Sequence, residues 1–166
     1  MEIQEFKKEM PEIFEKVKKD VRKILKLHRA GLNLGLAEIG MKGGAFIGGM
    51  HFYPGHEIVM NKSPLKIILE SQPYEIIWAY TYHILLHEYI HSLRVIDEYE
   101  CRELTLKVTE EIFKEADHPA IILAKNGIGA FIPNLKIIYV PPERRPEGIP
   151  IEYIHGFDRE SLTYFS

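Results

Sequence analysis

The stretch from Tyr74 to Leu93 constrains this chain more than any other. Its only formally charged residues are Glu75 and Glu88, and the remainder is largely Ile, Leu, Tyr, Trp and Ala. A helix that is apolar on every side is a central, buried one. Near its end stands His87-Glu88-Tyr89-Ile90-His91, an H-E-x-x-H pattern. At 3.6 residues per turn, positions i and i+4 share a face about one turn apart. Both imidazoles therefore reach one ion, with Glu88 beside them to take a proton. The same pattern arises by chance on amphipathic helices, where such side chains simply hydrogen-bond to neighbours. Burial decides between the two, because unpartnered imidazoles and a carboxylate are costly away from water and a cation satisfies all three. His83 lies one turn earlier on the same face. Three ligands stacked along one helix cannot all reach one ion, so His83 is expected beside the site or in the core.

The flanking sequence places this helix in an α+β fold. Pro11 to Arg29 predicts an amphipathic helix, with Ile13, Phe14, Val17, Val21, Ile24 and Leu25 at helical spacing and a stop at Gly31. From 34 to 61 the texture changes to short apolar runs cut by glycine. Leu36–Ile39, Ala45–Ile47, Met50–Tyr53 and Glu57–Met60 are strand candidates, with a hairpin at Pro54-Gly55. Gly40, Gly43, Gly44, Gly48 and Gly49 predict tight turns or bulges, and no Lys-Ser/Thr follows to make a phosphate loop. His51 and His56, either side of the hairpin, are expected at the surface. Ser63 to Leu69 reads equally as a short helix or a strand.

Beyond the central helix, Asp97 with Glu100 has the form of a capping box. A second helix is expected from Glu98 to Ala116, with Glu98, Cys101, Thr105, Val108 and Ile112 facing inward and His118-Pro119 ending it. Apolar stretches follow at 121–124, 128–132 and 135–140. The Pro-rich run 141–150 is expected to cross the surface extended, with Arg144 and Arg145 solvated, and 151–165 to dock. The predicted architecture is a small, mostly antiparallel sheet packed on the buried H-E-x-x-H helix and followed by a second helix, in one domain over residues 1–166.

Composition removes several function classes. A net charge of −3 with both signs interspersed gives no argument for nucleic acid or an anionic membrane. The longest apolar run, Ile76 to Leu86, is too short to span a bilayer. A single cysteine, Cys101, excludes an internal disulfide and fits a reducing, cytoplasmic setting, and the charged start lacks a cleavable signal pattern. Asn and Gln are scarce, a weak hint of heat adaptation. The oligomeric state is left open.

On His87, Glu88 and His91 the chain resembles the zincin metallopeptidases. Glu98-Tyr99-Glu100-Cys101 resembles the E-x-x-A pattern that supplies the third ligand in the Glu-zincin branch. The resemblance spans roughly 57–117. It implies Zn2+ held by His87, His91 and Glu98, Glu88 as general base, Cys101 as a small residue allowing close helix packing, and a peptide or protein substrate. It further implies an edge strand beside the site, for which Glu57–Asn61 is the candidate by order. A rival alignment resembles the metzincins and puts the third ligand at Asp97, although Arg94 stands where those carry a turn glycine. Glu110 and Glu111 stand at the spacing of thermolysin-like enzymes. If Asp97 caps the second helix, Glu98 is the freer of the first two. The expected function is a zinc-dependent hydrolase, a small intracellular metallopeptidase. Two alternatives remain: a binding protein that keeps its metal for structure, and a di-iron carboxylate protein using the pairs Glu88/His91 and Glu115/His118.

Overall fold

In the computed structural model, which describes residues 1–53 and 56–155, the H-E-x-x-H helix is α4, Tyr74–Ser92, and it is buried almost throughout from Ile76 onward. It is packed by α2 (Met10–Leu25), α5 (Glu98–Phe113), α6 (Pro119–Asn126), α3 (Lys62–Ser71) and strands β3 (Gly49–Tyr53) and β4 (Glu57–Asn61). The single turn α1 (Ile3–Phe6) precedes α2. The stripe Ile13, Phe14, Val17 and Val21 of α2 is buried, and Phe14 meets the Tyr89 ring edge-on at 5.5 Å. Asp20, also buried, accepts a hydrogen bond from Tyr82 Oη at 2.7 Å and pairs with Lys16 at 3.0 Å, which offsets its desolvation. α2 stops at Leu25, before the expected Arg29, because Lys26 adopts a left-handed φ of 60°.

The expectation of a mostly antiparallel sheet is corrected. β1 (Asn33–Ala37), β3, β4 and the two-residue strands β6 (Glu143–Arg144) and β7 (Glu152–Tyr153) form a mixed sheet in the order β6-β3-β4-β1-β7. The β3–β4 and β1–β7 pairs are antiparallel, whereas β1–β4 and β3–β6 are parallel. β2 (Ala45–Ile47) leaves this sheet and pairs in parallel with β5 (Lys136–Ile138). β4 is buried at every position and lies between β3 and β1, so Glu57–Asn61 is a central strand and not an edge. A strand covered on both faces has no alternation to announce its neighbours.

Asn61 joins three segments at the end of β4. Its side-chain oxygen accepts from the Ser63 and Ile39 N–H groups, capping α3, while its Nδ2 donates to the Gly40 and Ile47 carbonyls at 2.9 Å. Residues 62–71 are thereby a helix. Pro119 begins α6 rather than ending α5, with His118 accepting the Ala120 N–H, and α5 stops at Phe113 where Lys114 takes a φ of 64°. Residues 128–130 form a 3-10 turn.

The Pro-rich segment is more ordered than its composition suggests. Its β6 pairs beside Phe52 and Tyr53 of β3, and β7 pairs beside Gly35 and Leu36 of β1 on the opposite edge. Gly35 gives way to Ile151, whose Cγ2 would lie 2.3 Å from an added Cβ. Glu152 of β7 pairs with Lys7 and Lys62. The remainder of the expected docking segment, from residue 156, lies outside the described residues. Among those described, no helix is long and apolar enough to cross a membrane.

Candidate metal centre

A reversal in five residues, 93–97, brings the start of α5 back onto the end of α4. Had α4 run straight on, Glu98 would stand roughly 10 Å beyond His91 at 1.5 Å per residue. Arg94, at φ 75°, supplies the left-handed step. Asp97 then caps α5, its Oδ2 accepting the Glu100 N–H at 2.8 Å, and is occupied there. Glu98, the first residue of α5, turns its carboxylate to both imidazoles. Oε1 lies 2.6 Å from His87 Nε2 and Oε2 3.1 Å from His91 Nε2.

The donor atoms gathered here are of the types a divalent metal takes. His91 Nδ1 donates to the Val95 carbonyl at 2.7 Å, which turns Nε2 towards Glu98 as the ligand atom. His87 Nε2 and Glu98 Oε1 are buried and close, yet neither makes a hydrogen bond, and Glu88 Oε1 has no partner either. Burial pushes the His87 pKa down, so its ring is neutral at pH 7. Burial alone would raise Glu98, but the two imidazoles beside it, at 2.6 and 3.1 Å, hold it at about 2, an ionised carboxylate. Two imidazole nitrogens, one carboxylate and orphaned buried atoms between them are a donor set of the kind zinc takes.

Cys101 offers a competing third donor. The ligand atoms of His87, His91 and Cys101 lie within 4.8 Å of one another, and all three residues are buried. Its thiol, however, donates to the His87 carbonyl at 3.2 Å and sits 3.8 Å from His87 Nδ1 rather than beside the Nε2 atoms. Burial, with Glu88 and Glu98 nearby, raises its pKa and keeps it protonated. On geometry and charge the carboxylate is the better third donor.

Glu88 is buried against β3. Burial raises its pKa well above the usual carboxylate range, the Glu98 charge adds to this, and a hydrogen bond from the His51 main chain pulls it back. His51 is therefore not the surface residue expected: it is 6% exposed, with both ring nitrogens unpartnered, while His56 is exposed. Its pKa falls to about 4 by burial and by the charges of Arg29, His91 and His56. His83 is in the core and bonds Tyr139 Oη through Nε2 at 2.7 Å. Tyr139 lays its ring 4.7 Å from that of His87, and the Arg102 guanidinium sits over the Tyr139 ring at 4.8 Å. Tyr139 and Arg102 are site neighbours the sequence did not point to, and His51 is one that was expected at the surface. The only signal for His51 was the Gly48-Gly49 pair before it.

The remaining candidates lie apart. Glu110 pairs with Lys125 at 3.1 Å, and it stands about 18 Å along α5 from Glu98 at 1.5 Å per residue, with Glu111 next to it. His118 stacks on Phe113 at 4.1 Å, and Phe113 packs on Trp78 and Tyr82, towards the start of α4 from His87. Glu115 lies in the loop between α5 and α6. Compared with models of protein families, with curated proteins and with solved structures, the chain matches none.

Proposed function

We propose that this chain is a zinc-dependent hydrolase acting on peptides, a small metallopeptidase of the reducing cytoplasm. The observation that carries the proposal is the meeting of His87 Nε2, His91 Nε2 and the Glu98 carboxylate next to a buried, underbonded Glu88. When bound, zinc would acidify a water and polarise a carbonyl oxygen. His87, His91 and Glu98 would hold it, leaving the open position that separates catalytic from structural sites. Glu88 takes the water proton and returns it to the amine nitrogen as the amide C–N bond breaks and the water oxygen joins the acyl carbon. Its raised pKa belongs to the metal-free chain, and a nearby cation restores the carboxylate. The imidazole of His91 is oriented by Val95, and that of His87 by the Tyr139 ring.

A second reading, a metal kept for structure, draws on Cys101, which would close the site with a third or fourth ligand. Zinc content and turnover separate the two. Under the peptidase reading, purified chain binds one zinc, and His87→Ala or Glu98→Gln loses it. Asp97→Asn keeps the zinc and costs about 1 kcal/mol as a lost cap. Glu88→Gln keeps the zinc and abolishes hydrolysis of a mixed peptide library. Zinc lost from Cys101→Ala, with no peptide cleaved by the parent, would establish the structural role instead.

A further inference from the structure

The rim of the centre carries a cation that the proposed chemistry does not use. Arg102, four residues into α5 from Glu98, is exposed, and among the described residues it ion-pairs with no carboxylate. Its charge reaches His83, His87 and Tyr139. Together with Tyr139 it lines a cleft of about 350 Å³ between α5, α6 and β5. Lys125 and Lys136 line the same cleft, and no acidic residue does. Lys125 is engaged by Glu110, which leaves Arg102 and Lys136 as the cations available to a ligand. Leu123, Ile128 and Leu135 add apolar surface to a lining that is otherwise mixed.

We infer that this cleft receives the free C-terminal carboxylate of a peptide substrate, with an apolar last side chain inside it and Arg102 on the carboxylate. This rests on the peptidase reading above and makes the activity that of a carboxypeptidase. The dimensions agree. The 4.7 Å from the His87 ring to the Tyr139 ring and the 4.8 Å from there to the guanidinium put Arg102 within about 10 Å of the His87 ring. That is the length of roughly three extended residues, so a chain end one or two residues past the bond cleaved at His87 reaches Arg102. A planar guanidinium pairs a carboxylate through two parallel hydrogen bonds. Two free cations beside the side chains of Leu123, Ile128 and Leu135 suit an apolar residue with a terminal anion better than an acidic side chain.

The test is binding, independent of turnover. N-acetyl-Ala-Leu, with a free carboxylate, and its C-terminal amide are each titrated into full-length chain freed of zinc by chelation, by calorimetry. The acid is expected to bind about tenfold tighter than the amide, as a charge-assisted pair provides. Arg102→Met, at an exposed position, should bring the two within twofold while leaving zinc uptake unchanged and lowering the melting point by no more than one lost cation–π contact provides. Equal binding of acid and amide by the parent, a preference that survives Arg102→Met, or no binding of either at about 10 mM would each overturn the inference. The zinc and hydrolysis measurements above report on the metallopeptidase reading separately. With zinc restored, hydrolysis of a free-acid peptide over its amide should show the same dependence on Arg102.

Discussion

His51 shows how one buried side chain ties the centre to acidity. Burial, and then the charges of Arg29, His91 and His56, lower its pKa to about 4, against the ~6.5 of an unfolded chain. Between those values the unfolded chain binds a proton that the folded chain refuses, so the stability tied to this neutral ring is present above pH ~6.5 and lost as pH falls towards 4. Neither ring nitrogen has a hydrogen-bond partner, so replacing the ring with an apolar group strands no buried polar atom. His51→Leu should thus lose less stability than the parent between pH 6.5 and 4, read as a shallower shift of the urea midpoint. An unchanged pH slope would show that His51 is not held neutral by the fold. His83, pushed down to about 3 by burial and by His87 and Arg102, acts in the same direction over a wider range.

At the scale of elements, the centre depends on how close β3 lies to α4. Gly48 and Gly49 read in the sequence as turn or bulge residues, but they are where the strand meets the helix. A Cβ on Gly49 would lie 2.8 Å from Ile84 Cγ2, 3.2 Å from the Val59 carbonyl and 3.4 Å from Glu88 Cγ. Two of those three neighbours belong to α4, and the third is backbone that cannot turn aside. Gly49→Ala should push β3 off the helix, costing about 1–3 kcal/mol as overpacking, measurable by urea unfolding. Because Glu88 is bonded to the β3 main chain at His51 while Glu98 and both imidazoles lie on helices, a shift of β3 should lower hydrolysis much further than zinc content. Equal losses of both would place the effect on the whole fold.

Across the whole molecule, what could be read from the sequence is what is local. The helix that is apolar on all sides, the Asp97 cap and the inward face shared by Glu98 and Cys101 each follow from spacing within a few residues. The parallel pairing of β1 with β4 does not, because Leu34–Ala37 and Glu57–Asn61 are buried on both faces and their neighbours come from distant sequence. Tyr139 was one apolar letter in 135–140, and only the fold sets it against His87. The Pro-rich segment was legible as irregular but not as a fastening. It runs from the outer edge of β3 to the outer edge of β1, so the same short run of chain guards both margins of the sheet. Bare margins are templates for pairing with other chains. A single peptide bond between 145 and 151 therefore separates a protected sheet from one that can extend at both ends. Limited digestion with a glutamate-specific protease, with cleavage after the exposed Glu147 identified by mass, should convert the chain into higher-order species in light scattering; a nicked chain that keeps its size would show the margins are guarded by something else. Damage to this protein need not touch its core to make it polymerise.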